Sequence, residues 1–288
     1  MNLQENTNVL RRIAPCGRFG ALLILCLTLS QAATPASGVA DPLQDGFNHL
    51  YNLSFDAAHR SFQRFEQANP ADPRGPAFDA AAYLFSEFDR LRILQSEFFV
   101  DDRNFRTTRQ LTPDRNAKAS FENALVLTQR LSDARLNTSP DDPDALFARV
   151  LRLGLSADYI ALVEKHDFQA LNEIKDARQT AQSLLARNPG YYDAYLALGV
   201  ENYLLSQKPA PVRWLLHVGG AQTDKETGLA NLRITAAKGR YLQPYAELLL
   251  AVAALRDKNK GEARRLLSDL ANRFPSNLLY REELKKIL

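Results

Sequence analysis

The sequence predicts an all-α protein: an α-solenoid of about five antiparallel helix pairs with a last helix capping the stack. Three observations carry this. A pattern of small and large apolar residues closed by proline recurs along the chain. Asp-Pro or Thr-Pro opens three of the apolar-periodic segments. No segment alternates with period two, so strands are not expected.

The recurring pattern is clearest in "FDAAHRSFQRFEQANP", where Ala58 is followed by Phe62, Phe65 and Pro70. "DARQTAQSLLARNP" repeats the offsets with Ala177, Ala181, Leu184 and Pro189. "GEARRLLSDLANRFP" repeats them with Ala263, Leu267, Leu270 and Pro275. "NAKASFENALVL" has Ala117, Phe121 and Ala124 without the proline, and Gly228 with Leu232 is a degenerate version. Residues at i, i+4 and i+7 share one face of a helix. The small first residue lets a neighbouring helix come close, and the proline ends the helix. These residues resemble the second helix of the tetratricopeptide repeat. Phe65, Leu184 and Leu270 stand where that family usually has alanine.

The elements follow in order. The pairs are 42–52 with 55–69, 76–98 with 114–136, 142–164 with 168–187, 190–206 with 223–238, and 242–257 with 260–274, and the cap is 276–287. Asp41-Pro42, Thr112-Pro113 and Asp142-Pro143 each place a capping residue before a proline at the first helical position. Turns fall at Asn52–Ser54, Lys165–Asp167 and Asp257–Gly261. Two connections are long for a packed repeat protein, 99–112 and 207–222, and long ordered connections tend to be functional. From about 195 to 275 the order of helix, Ser-Lys-Pro break, apolar segment and Gly-Leu helix start is similar to the eukaryotic tetratricopeptide family that includes the outer-mitochondrial inclusion-clearance protein. That resemblance implies an all-helical fold and an interaction role.

The domain is expected over 41–288, because the first residues read differently. Arg11, Arg12 and Arg18 lead into "FGALLILCLTL", an apolar run of about eleven residues, too short for the roughly twenty that span a bilayer. Ser30 with Ala32, or Gly38 with Ala40, then offers a small-residue cleavage site. This is the pattern of a Sec-type signal peptide, 1–32 or as far as 40, and it implies a secreted or periplasmic protein with no membrane span left after cleavage. Cleavage at 32 removes both cysteines, Cys16 and Cys26. It also takes three of the 36 Lys and Arg and one of the 33 Asp and Glu, so the formal charge falls from +3 to +1. A near-neutral protein gives no electrostatic reason to bind nucleic acid.

The stretch "HVGGAQTDKETGLANL", 217–232, imitates a phosphate loop. A phosphate loop needs glycine before the lysine and a hydroxyl after it, but Asp224 and Glu226 flank Lys225. The letters fit a helix start instead, with Thr223 as N-cap and Glu226 as its reciprocal partner in a capping box. His49, His59, His166 and His217 show no metal-ligand spacing, so no metal or cofactor is expected. Asp101-Asp102 and Asp141-Asp142 sit beside turns, where capping and solvation explain them. There is no GxSxG. Asn52-Leu53-Ser54 and Asn137-Thr138-Ser139 match the glycosylation sequon.

The expected function is therefore that of a protein- or peptide-binding scaffold, not an enzyme, with its partner in the concave groove. The candidate contact residues are Tyr192, Tyr195 and Tyr203 on one helix face, with Arg213 and Trp214 in the second insertion. Tyrosine suits a groove through its apolar body and polar tip, although the same three residues also fit core packing. Two other readings remain open: an enzyme or enzyme accessory whose pocket is closed by the 99–112 and 207–222 insertions, and a structural scaffold of the cell envelope.

Overall fold

The computed structural model describes residues 41–94, 111–206 and 224–287. Among them are eleven α-helices and no strand: α1 (Pro42–Tyr51), α2 (Phe55–Ala68), α3 (Arg74–Arg90), α4 (Arg115–Thr138), α5 (Pro143–Tyr159), α6 (Asp167–Arg187), α7 (Tyr195–Ser206), α8 (Lys225–Lys238), α9 (Gln243–Arg256), α10 (Lys260–Arg273) and α11 (Leu278–Ile287). A π-helical turn, Ile160–Glu164, extends α5, and a 3-10 turn, Tyr192–Ala194, precedes α7. Each of the described helices packs on the next in the chain. The segments 1–40, 99–110 and 207–222, which hold the expected signal peptide and most of both insertions, lie outside the described residues, as do Arg213, Trp214 and Thr223.

The proline-closed helices are as their residues dictate. Ala58, Ala177 and Ala263 are buried, and so are Phe62, Leu184, Leu267 and Leu270. Pro70, Pro189 and Pro275 are exposed just beyond α2, α6 and α10. The residue before each proline has left the helix: Asn69, Asn188 and Phe274 have φ of −135°, −128° and −123°. Proline excludes the α conformation from the residue before it, so the helix ends there without a glycine.

Helix α4 closes the same way, which corrects the expected register. Ser139, before Pro140, has φ −139°. Counting back from Pro140, the small buried residues are Thr128 and Ser132, both fully inaccessible. Ala117, Phe121 and Ala124 belong to the same stripe further up, where Ala117 is only half-buried. The Thr128 hydroxyl donates to the Ala124 carbonyl at 2.8 Å, which satisfies it within the core.

Three helix boundaries also differ from expectation. Helix α3 ends at Arg90 rather than 98, because Arg92 takes a left-handed turn (φ 59°) and the Ile93 N–H donates to the Phe88 carbonyl at 2.8 Å. Leu53 and Lys258 end α1 and α9 alike, with the Ser54 N–H on the His49 carbonyl and the Asn259 N–H on the Ala254 carbonyl. This is a Schellman closure made without glycine. The cap of α4 is Asp114, not Thr112; its carboxylate accepts from the N–H groups of Asn116 and Ala117. The cap of α8 is Asp224, whose carboxylate accepts from the Glu226 N–H at 3.1 Å and the Thr227 hydroxyl at 2.5 Å. Glu226 thus meets the cap through its backbone, and the reciprocal bond of a capping box is replaced by the Asp224 N–H donating to the Asn202 side-chain oxygen at 3.3 Å.

The first and last described helix pairs meet. The Tyr51 hydroxyl donates to the Tyr241 carbonyl at 2.8 Å, the Asn277 side chain donates to the Tyr51 carbonyl at 3.0 Å, and the Ser276 N–H donates to Asn52 at 3.1 Å. Phe47 of α1, Phe78 of α3 and Tyr241 form one ring cluster, with Phe47 4.7 Å from Phe78 and 5.3 Å from Tyr241. Tyr51 also packs on Phe274 at 5.3 Å. The first pair therefore contacts the last, and faces of several helices line a space between them.

Candidate functional site

That space is an apolar pocket of about 180 Å³. The first helix of each pair, α1, α3, α5, α7 and α9, contributes to its wall, and α11 closes one side. Each does so with one helical stripe. On α3 the stripe is Phe78, Ala81, Phe85 and Phe88; on α9 it is Tyr245, Leu248, Leu249, Val252 and Leu255. Spacings of three and four keep such residues on one face. The second helices α2 and α4 contribute nothing to the wall.

The stripe of α5 runs Phe147, Val150, Leu151, Gly154, Leu155, Asp158 and, in the π turn, Leu162. Gly154 leaves room: a Cβ placed there would meet nothing within 4 Å. Asp158 is the odd member. It is half-buried and lines the pocket. Burial alone pushes its carboxyl up to about 7, because a low-dielectric site penalises the charged form. Tyr245 across the pocket is raised well above the usual phenol value, first by burial and then by the Asp158 charge.

The other acidic groups on the wall are occupied. Asp193, before α7, accepts from the backbone N–H groups of Arg240, Tyr241 and Leu242 at 3.0, 3.1 and 2.8 Å. Burial raises its carboxyl and these bonds oppose the rise. It thereby fixes the α8–α9 connection, and with it the Tyr241 carbonyl that Tyr51 reaches. Glu283 of α11 pairs with Lys286 at 2.7 Å. No Lys, Arg or His lines the pocket among the described residues.

The tyrosines singled out from the sequence do not form one contact face. Tyr203 is buried at 4% exposure and packs with Leu229, Leu232 and Ala253 where α7 meets α8. The crossing is close there, since a Cβ on Gly228 would lie 2.6 Å from the Tyr203 nitrogen. Tyr195 is half-buried against the main core. Tyr192 is half-buried, its carbonyl accepts from the Thr235 hydroxyl at 3.0 Å, and Lys238 lies 5.0 Å over its ring. The pocket takes other residues of that segment: Leu196, Ala197 and Val200. Asp158, Gly154 and Tyr245 were missed by the sequence reading. The signal was present as a single carboxylate in an otherwise apolar stripe of α5.

Away from the pocket, His59 Nδ1 lies 2.5 Å from Asp79 Oδ1, with its ring 4.1 Å from that of Tyr83. Burial, aided by Asp79, pushes the neighbouring Glu66 up to about 7. Lys225 pairs with Asp257 at 2.6 Å and so ties the first turn of α8 to the end of α9. Among the described residues no three His, Cys, Asp or Glu side chains gather as a metal site, and no helix is long and apolar enough to cross a membrane. No protein-family model matches the chain, nor does a curated protein or a solved structure.

Proposed function

We propose that the protein is a binding module which holds an apolar small molecule in the pocket formed by its first helices. The observation that carries this is the wall itself: stripes from five helices converge on one space and leave it unfilled. Interiors normally pack without voids larger than a water molecule. An apolar cavity of about 150 Å³ stays dry and takes up benzene, and this one is about 180 Å³. An extended peptide is poorly served there, because its backbone groups would be buried with few partners. The arrangement of the helices supports a tetratricopeptide-like solenoid closed end to end. Binding without chemistry is supported by the state of the acidic groups: Asp193 and Glu283 are held by partners, so Asp158 has no second group to work with. The basic start and short apolar run of the first residues support export from the cytoplasm. Finding Met1 intact in protein recovered from an envelope fraction would contradict the export reading.

A crystal of the protein under xenon pressure tests the pocket. Xenon is expected among Phe147, Gly154 and Tyr245. A pocket that takes up no xenon, or holds ordered water instead, contradicts the reading.

A further inference from the structure

We propose that the ligand of this pocket is an apolar amine, its ammonium group seated on the Asp158 carboxylate and its body against the stripes of α3, α5 and α9. The inference rests on the pocket reading above and adds the chemistry of the ligand's polar end. The buried carboxylates all have partners: Asp79 has His59, Glu87 has Arg90, Glu201 has Arg178, Glu283 has Lys286, and Asp193 has three backbone N–H groups. Of the half-buried ones, Glu66 is also raised by burial and has an unpaired oxygen, but it does not line the pocket. Asp158 has no hydrogen bond or ion pair among the described residues, and it lines the cavity. A carboxylate without a partner in an apolar site is costly, and a buried position so occupied calls for a counter-charge or a donor.

The electrostatics of the wall select the sign. Among the described residues its ionisable groups are acids and tyrosines only. A carboxylate or phosphate ligand would meet Asp158 with like charge and find no cation. An ammonium would find one acceptor and no competing cation. The carboxyl, held near neutrality by burial, ionises once an ammonium stands beside it, since an opposite charge favours the charged form. A π turn begins at Ile160, two residues after Asp158, and such turns interrupt helices frequently at functional sites. The volume sets the body at about the size of one ring or a short alkyl chain.

The test is a calorimetric titration of the full chain with hexylamine, hexanol and hexanoate, repeated on Asp158→Asn. Hexylamine is expected to bind the wild type roughly tenfold or more tightly than hexanol, as a charge-assisted hydrogen bond would give, with hexanoate weakest. In Asp158→Asn the amine advantage should vanish while hexanol binding persists, which also shows that the variant is folded. Should hexanol bind as well as hexylamine to the wild type, the amine inference fails and the pocket reading stands. An amine advantage that survives Asp158→Asn overturns the assignment to Asp158. Should none of the three bind, the pocket reading itself fails.

Discussion

The hydroxyl of Tyr51 donates to the main-chain carbonyl of Tyr241 across 190 residues of sequence, at 2.8 Å. Each described helix otherwise packs chiefly on its neighbours in the chain, so this bond and the Asn277 and Ser276 bonds beside it join the first described helix to the last ones. Burial raises the Tyr51 hydroxyl well above its usual value, so it remains a donor at any ordinary pH. Tyr51→Phe keeps the ring against Phe47 and Phe274 but leaves the Tyr241 carbonyl without this donor. A loss of about 1–2 kcal/mol is expected, measured by urea denaturation.

Gly228 faces backbone, not a movable side chain, because a Cβ there would lie 2.6 Å from the Tyr203 nitrogen. Gly228→Ala gains helix propensity, yet α7 and α8 must move apart to admit it. Overpacking dominates, and a net loss of roughly 1–3 kcal/mol is expected. A variant as stable as wild type in the same denaturation would show that the helices do not cross so closely.

Asp224, not Thr223, should carry the start of α8. Its carboxylate is held below the usual range, first by the Thr227 hydroxyl and then by backbone N–H groups. Asp224→Ala should lower the melting temperature, and Asp224→Ser should restore most of it, since serine caps nearly as well. Lys225→Ala should change it little, because its pair with Asp257 is half exposed. Unchanged melting in Asp224→Ala would place the cap elsewhere.

Stability should fall as pH rises through neutrality. Asp158 and Glu66 are each pushed up to about 7 in the folded protein, whereas they ionise near 4 when unfolded. Between those values the folded state holds the extra protons, so stability present at low pH is lost as pH climbs. The carboxyls held low, Asp114, Asp224 and Glu262, act in the opposite sense but only below about pH 4. Facing Asp158, the titrating neighbour is Tyr245, which stays neutral throughout. The melting temperature is expected to decline from pH 5 to pH 8, and less steeply in Asp158→Asn. Equal slopes in the two proteins would mean that Asp158 does not titrate there.

How far the fold could be read depended on whether a boundary leaves a chemical mark. Pro70, Pro189 and Pro275 force the residue before them out of the helix, so α2, α6 and α10 ended where their letters said. Arg92 leaves no mark: a non-glycine residue in a left-handed turn looks like any helical arginine, and α3 was drawn too long. In α4 the tight positions are Thr128 and Ser132, whose hydroxyls disguise a buried face. Asp158 was legible as a charge out of place on an apolar stripe, but a stripe alone does not reveal what it faces. The bond from Tyr51 to Tyr241 joins residues with no local signature, so the contact of α1 with the α8–α9 connection belongs to the tertiary structure alone.

The central claim is that the first helices enclose an apolar pocket able to take a ligand, and Gly154 gives the most direct access to it. A side chain there enters open space, so Gly154→Leu should fill the pocket while raising helix propensity by about 1 kcal/mol. The measurement is calorimetric titration of wild type and Gly154→Leu with toluene. Saturable binding to the wild type, lost in a Gly154→Leu protein that melts no lower, is the predicted result. Toluene binding that is absent from the wild type, or undiminished in Gly154→Leu, would contradict it.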